Sequence, residues 1–513
     1  MPKGINDQAG NRSAKTVVIV GGGTAGWMTA ASLAHALGPL GVHIRLIESS
    51  QIGTVGVGEA TVPAIRRYFE SLDLSTYDVM KACNGSFKLG IAFENWRQPG
   101  HRFFHSFGRY GAAHGQVGFH HLWQRLVAAG VDRPLDDYCL GTQLAYAGRF
   151  AEPIARPRAD FEIYDWAIHF DASLFARVLR QFAEAKGVER IDAKVSDIAL
   201  TPETGEIAHL VLDQGDRIAG DLFIDCSGFR GLLIQGALKT GYRDWRHWLP
   251  CDRAIALPCA QSDPQRINPY TRARAQSAGW TWQIPLQHRI GNGYVYSSDH
   301  IGDAEAEATL RDQLGGDALA EPNLVRFTTG HAERLWNRNC VAIGLAGGFL
   351  EPLESTSITL IQMAIDKLIL LWPGERSDPR LADEFNRLSV LEYERIRDFI
   401  ILHYCLNGRI GEGFWDQCRE MAIPDTLRHK IELFKARGQF ARYDMESFFD
   451  PSWLCMYEGF GVVPQTNNPF AEQMPIDRLK AVTTQMCTGI KAMAMDGIPH
   501  YDFIKTHCAT ARG

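Results

Sequence analysis

The sequence predicts a mixed α/β (α+β) fold: a parallel-stranded unit, an added β-sheet region and a mainly helical C-terminal part. Three observations predict it. The β-branched run "TVVIV" leads into the turn Gly21-x-Gly23-x-x-Gly26 and then an alanine-rich helix, "TAGWMTAASLAHAL". Far downstream, "GEIAHLVLDQGDRIAGDLFIDCSGFRG" reads as a β-hairpin followed by a strand ending in Asp225-Cys226-Ser227-Gly228. From about residue 380 the pattern turns helical, with Tyr393, Ile396, Ile400 and His403 at helical spacing in "LADEFNRLSVLEYERIRDFIILHYCLNG".

The first of these is a dinucleotide signature. The first glycine permits the bend, the second lets a pyrophosphate approach the backbone, and the third lets helix and strand pack closely. A helix start there offers unpaired amides and the positive dipole end to phosphate. A second strand, "VHIRLIES", ends in Glu48, 22 residues after Gly26, where an acid can take ribose hydroxyls. The following glycine-rich loop, "SQIGTVGVGEATVPAI", is too long for a tight βα connection and suits an extended ligand. With the distant hairpin-and-strand segment and a third segment, "NCVAIGLA" followed by a helix from about Ser357, the pattern favours FAD over NAD. The second and third segments resemble those with which FAD-dependent aromatic hydroxylases and their relatives complete the FAD domain, and that resemblance implies an FAD-binding Rossmann-like domain of the aromatic-hydroxylase type.

Bulk properties bound the partners. The 513 residues carry a net charge of -6, with 53 basic against 59 acidic side chains and no basic run, which excludes an electrostatic footprint for nucleic acid or an anionic membrane. Eleven scattered cysteines, an odd number without a CxxC pair, read as reduced thiols in a cytoplasmic protein, and no metal site is suggested. The N-terminus "MPKGINDQAGNRSAK" lacks the apolar core of a signal peptide. The run "ITLIQMAIDKLILLW" is interrupted by Asp366 and Lys367 and reads as a buried helix with an exposed stripe.

The stretch "GGFLEPLESTSITLIQMAI", Gly347 to Ile365, sets Glu351 and Glu354 in an apolar segment, where carboxylates need a partner or a use. It is one of five segments that together resemble the flavin-dependent tryptophan halogenases. The others are "GGGTAGWMTA", "GVGEATVP" (Gly56 to Pro63), "CNGSFKLGIAFENW" (Cys83 to Trp96) and "GWTWQIPL" (Gly279 to Leu286). The glycine fingerprint is widely shared; the lysine segment with the double-tryptophan motif is close to diagnostic. The similarity runs in the family's order from about residue 15 to at least residue 410.

The resemblance implies an enzyme in which reduced FAD (FADH2) and O2 oxidise chloride or bromide to hypohalous acid, which travels inside the protein to a separate aromatic substrate. It makes Lys88 the residue that captures or hydrogen-bonds this species, and Glu354 the carboxylate that takes the ring proton or polarises the acid. Ser355 is expected to position the lysine through its backbone. Thr356 and Ser357 are expected to hold halide at a helix start; the well-studied members usually carry glycine where this chain has Ser357. The cofactor-binding set expected is Gly21, Gly23, Thr24, Ala25, Gly26, Glu48, Ala60, Val195, Leu345 and Ile358. Trp280 and Trp282 share one face of a strand and in the family keep flavin and organic substrate apart. Glu351 is read as scaffold, bonded to backbone or an arginine.

On the substrate side, His105 and Phe107 in "HRFFHSFGRYG" and Trp453 in "DPSWLCMYEG" are candidates to sandwich an indole, with core packing as the alternative for each. The aromatic and acidic set that holds the amino-acid end of tryptophan is not found in the C-terminal region, which leaves free indole, a substituted indole, another electron-rich arene and a peptidyl or carrier-bound substrate open. The competing activity is an FAD-dependent aromatic monooxygenase (hydroxylase); a flavin-binding protein without turnover is the third reading. With no NAD(P)H site evident, FADH2 is expected from a separate NAD(P)H-dependent flavin reductase, and a homodimer stays open. The expected parts are 1–110 for FAD and the lysine strand, 111–330 for interleaved FAD-binding and substrate-side sheet, 331–375 for the FAD and halide helix, and 376–513 for a mainly helical cap.

Overall fold

A computed structural model describes residues 15–52, 58–373 and 378–510. The N-terminal fourteen residues and Gly53 to Val57 of the glycine-rich loop, both used in the sequence reading, lie outside the described residues.

The strand Thr16–Val20 is central to a six-stranded sheet, parallel to Leu222–Asp225 on one side and to His43–Glu48 on the other. Cys340–Ala342 and Glu189–Asp192 extend the sheet in parallel, and Trp336–Asn337 closes one edge antiparallel. Both faces are covered, so Val17, Val18 and Ile19 are all fully buried and the strand reads as a continuous apolar run, not an alternation. The helix Thr24–Leu37 lies on one face, packed between the helices Ala172–Ala185 and Ser357–Leu370; its alanines at 30, 31 and 34 keep the backbones close. The distant hairpin expected from the sequence is present as Ile207–Leu212 and Arg217–Ala219, with Val195–Leu200 added at its edge.

A seven-stranded sheet forms the second layer, in the order Asn323–Arg326, Arg253–Ala256, Ile290–Tyr296, Gly279–Pro285, Thr271–Gln276, Gly90–Glu94, Arg102–Ser106. Only the Thr271–Gln276 and Gly90–Glu94 pair is parallel. Between the two layers, Gly58–Ala60 and Ser86–Lys88 flank Ala167–Asp171 antiparallel, which sets the register Lys88 opposite Ala167.

The 27-residue helix Pro379–Cys405 begins with Asp378 accepting from the Arg380 amide and with proline at its first position, where a missing N–H costs nothing. Its buried face runs from Phe385 through Ile396, Phe399, Ile400 and His403 to Tyr404. Each such apolar side chain contributes about 1.5–3 kcal/mol of burial. That docking brings the end of the helix against the segment Glu351–Ser355.

Candidate functional site

The nucleotide turn has the shape its glycines require. Gly21 sits at φ +113°, and a Cβ there would lie 2.2 Å from the Cys226 carbonyl oxygen; one on Gly26 would lie 1.8 Å from the Gly21 carbonyl oxygen. A Cβ on Gly23 would meet nothing within 4 Å. Turn and packing thus account for the outer two glycines, and the middle one leaves an open side. Thr24 and Ala25 begin a helix whose first turn has no side-chain cap and no acidic residue, so its amides face that open side unpaired. This is the cradle that a dinucleotide pyrophosphate needs, and FAD fits it.

The other expected cofactor residues are spread around this turn. Gly344, at φ +73°, would place a Cβ 2.7 Å from that of Ala25, so the short turn carrying Leu345 packs directly on the helix start. Ile358 is buried in the first turn of Ser357–Leu370, and Ala60 is buried in the strand Gly58–Ala60. Val195 opens the edge strand of the hairpin sheet. Glu48 ends its strand beside the turn and accepts from Arg190 at 2.5 Å and from the Trp27 indole N–H at 3.4 Å.

Lys88 is fully buried at the end of its strand. Its Nζ donates to the Thr61 carbonyl and to Ser355 Oγ, each at 2.8 Å, and stands 5.3 Å from the centre of the Phe107 ring. Ser355 therefore engages the lysine through its side chain, where the sequence suggested its backbone. Burial pulls the ammonium down to about 7, with the charge of Glu354 acting in the opposite direction.

Glu354 is 1 % exposed at the end of a one-turn 3-10 helix, Pro352–Glu354. Burial pushes its carboxyl up, but His105, by charge and hydrogen bond, and His403 outweigh that and bring it down to about 2. His105 Nδ1 lies 2.8 Å from Oε2 and His403 Nε2 lies 2.9 Å from Oε1. The carboxylate is clamped from the strand Arg102–Ser106 on one side and from the long helix on the other.

The chain then turns sharply. Ser355 adopts a left-handed conformation, φ +58°, which costs a non-glycine residue about 1–2 kcal/mol and aims its hydroxyl at Lys88. Thr356 precedes the helix Ser357–Leu370 without capping it, and its buried Oγ1 has no partner among the described residues. No acid occupies the first turn. A buried helix start with an unpartnered hydroxyl beside it suits a small anion.

Glu351 has a different environment. It is fully buried and bonded neither to backbone nor to arginine: Trp280 donates its indole N–H to Oε2 at 3.0 Å and Tyr404 its hydroxyl at 2.5 Å. Burial without a cation drives this carboxyl up to about 7. These partners correct the expectation of backbone or an arginine, because two neutral donors on distant elements reach the carboxyl. Trp280 and Trp282 are neighbours on one strand, with ring centres 6.2 Å apart.

Of the substrate candidates, His105 lies on Glu354, Phe107 lies beside the lysine ammonium, and Trp453 packs edge-on to Phe399, donates its indole N–H to the Phe448 carbonyl and touches Tyr457 and the Lys430 ammonium. Phe448 stacks on Phe399 at 3.9 Å and faces His105 at 6.2 Å, so an aromatic wall runs from the lysine to the helical region. Sequence reasoning missed three participants: the Thr61 carbonyl, Tyr404 and the role of His403. The only signal for His403 was a polar residue on the buried stripe of a helix.

Comparison with known proteins agrees with this geometry. The tryptophan halogenase family model matches residues 16–476. The fold superposes on BrvH, a flavin-dependent halogenase from Brevundimonas sp. BAL3, with a TM-score of 0.93 and 46% identity over 97% of this chain and 99% of that one. Xcc4156, a flavin-dependent halogenase from Xanthomonas campestris, gives 0.93 and 43% over 98% and 100%. Tryptophan 6-halogenase SttH of Streptomyces toxytricini is 39% identical over 448 residues, 83% of this chain and 85% of its own. By the family model and these relatives, this chain belongs to the flavin-dependent tryptophan halogenase family.

Proposed function

We propose that this protein halogenates an electron-rich aromatic ring, an indole or a tryptophan-like compound, with hypohalous acid made from chloride or bromide. The observation that carries the reading is that Lys88, pulled down to about 7 by burial, bonds Ser355, the residue after a buried Glu354 whose two histidines bring it down to about 2. Bound in the cradle of Gly21, Gly23 and Gly26, FADH2 with O2, halide and one proton would supply hypohalous acid, releasing FAD and water.

The residues of the chain account for the rest. Thr356 and Ser357 offer the halide a helix start and an unpartnered hydroxyl. Lys88, tied by two of its N–H groups to Thr61 and Ser355, has one left to hydrogen-bond hypohalous acid. The ring carbon attacks halogen, the O–X bond breaks, and the departing hydroxide takes a proton from Lys88 and leaves as water. Glu354 accepts the proton from the ring carbon and restores aromaticity; its proton can then return the lysine to its charged form. His105, Phe107 and the aromatic wall give a flat substrate faces to stack on.

FADH2 would come from a separate NAD(P)H-dependent flavin reductase. All eleven cysteines are unpaired thiols, which fits a reducing compartment such as the cytoplasm. Among the described residues no helix is long and apolar enough to cross a membrane.

The test supplies reduced FAD, O2, bromide or chloride and indole, and reads the product by mass spectrometry. Halogen incorporation that disappears in Lys88→Ala, with flavin oxidation intact, supports the reading; added oxygen in place of halogen would make the protein a hydroxylase.

A further inference from the structure

His403 is fully buried and its two ring nitrogens are both engaged. Nδ1 lies 2.8 Å from the Phe399 carbonyl oxygen and Nε2 lies 2.9 Å from Glu354 Oε1. A carbonyl oxygen can only accept, so Nδ1 carries a proton. A neutral ring has no second proton for Nε2, and a bare nitrogen cannot stand 2.9 Å from a bare carboxylate oxygen without repulsion. One proton must therefore sit between Nε2 and Oε1.

Its location follows from what else surrounds the carboxyl. The titratable and charged groups that face Glu354 from each neighbouring element are His105 on Arg102–Ser106, Lys88 on its strand and Cys455 on the helix Asp450–Gly459. His105 Nδ1 lies 2.8 Å from the other oxygen, Oε2, and lowers the carboxyl by charge and hydrogen bond, and the Lys88 ammonium attracts a negative carboxyl. Both favour the carboxylate over the acid, which moves the shared proton onto nitrogen. The rings packed around His403 are those of Phe93, Trp96, Phe399 and Phe460, none of which competes for that proton.

We propose that Glu354 and His403 form a buried imidazolium–carboxylate pair, in which His403 is a positioning residue that keeps Glu354 ionised and aimed at the reacting ring carbon. The proposal rests on the halogenase reading for its kinetic consequence, but not for its structural one. A buried ion pair in which both carboxylate oxygens and both ring nitrogens have a hydrogen-bond partner holds together as a unit, whereas removing one member leaves the other charge uncompensated. Together with His105 and Lys88, the imidazolium permits a carboxylate to exist at this buried position before any cationic intermediate has formed.

The experiment uses the FAD-loaded full chain with 15N-labelled histidine, the His403 signals being assigned by their loss in His403→Gln. At neutral pH both ring nitrogens of His403 should show the shifts of protonated nitrogen, and Nε2 should lose its proton in Glu354→Gln. A bare Nε2 in the unaltered protein overturns the proposal, whether or not any variant folds. For indole halogenation by His403→Gln, kcat should fall at least about tenfold with KM moved less than about threefold, and the acid limb of the pH–rate profile should rise as Glu354 loses its cation. An unchanged kcat and acid limb would also overturn it. An unaltered protein that has a protonated Nε2 yet yields no halogenated product would defeat the functional reading alone.

Discussion

Glu351 and Glu354 lie three residues apart on one turn, are 0 % and 1 % exposed, and are each held by two side chains from distant elements. The partners differ in one respect. Trp280 and Tyr404 are neutral donors, so burial wins and Glu351 sits at about 7; His105 and His403 can carry charge, so burial loses and Glu354 falls to about 2. Burial alone does not set the state of a buried carboxyl. The ability of its neighbours to hold a compensating charge does.

The sharpest way to break the comparison is to neutralise each acid. Glu354→Gln should lower halogenation by about 10²–10⁴-fold, the range for a lost general base, with flavin oxidation preserved. Glu351→Gln, which puts a neutral amide where a carboxyl raised to about 7 accepts from two neutral donors, should stay within about tenfold of the unaltered rate. Equal losses in a quantitative product assay would show that the two acids are not functionally distinct.

Stability should separate them in the other direction. Glu351→Ala leaves the Trp280 N–H buried without an acceptor, at about 1–3 kcal/mol, and the Tyr404 hydroxyl with only the weak Cys251 sulfur at 3.7 Å. Glu351→Gln keeps an acceptor oxygen and should be much milder. Denaturant titration distinguishes the two, and identical midpoints would mean that the network contributes nothing.

The pH dependence of unfolding gives opposite signs. Because the Glu351 pKa is raised when folded, the folded protein binds a proton between its ordinary 4.5 and about 7. Its contribution to stability is greatest below 4.5 and is lost as pH rises to 7, by on the order of 3 kcal/mol at most. For Glu354 the pKa is depressed when folded, so its contribution is present above 4.5 and lost as pH falls toward 2. Replacing either residue by glutamine should remove only its own slope.

The smallest effect belongs to the residue that follows Glu354. Ser355→Gly relieves the left-handed strain and should stabilise by up to about 1–2 kcal/mol, while removing one acceptor from Lys88 and lowering activity. Gains in both thermal midpoint and rate would mean that the hydroxyl has no part in holding the lysine.

Much of this was legible in the sequence, and what was not shares a cause. The glycine turn, the strands beside it and the helix from Ser357 follow from local patterns, because each is specified within a few residues. Lys88 and Glu354 stood out only through segment resemblance, since a lysine on a short strand looks ordinary by itself. His403 and Tyr404 were hidden because they recur at core spacing with Ile396 and Ile400, and their partners lie about fifty residues away in the chain. Periodicity tells which face of a helix is buried, but not what a polar group on that face will meet.

The docking of His403 and Tyr404 onto the glutamate turn also constrains redesign. A chimera that exchanged residues beyond 378 to import another substrate pocket would replace the charge partner of one glutamate and the donor of the other at the same stroke. Grafts that retain these two side chains should keep turning over, whereas those that vary them would be misread as failures of substrate fit.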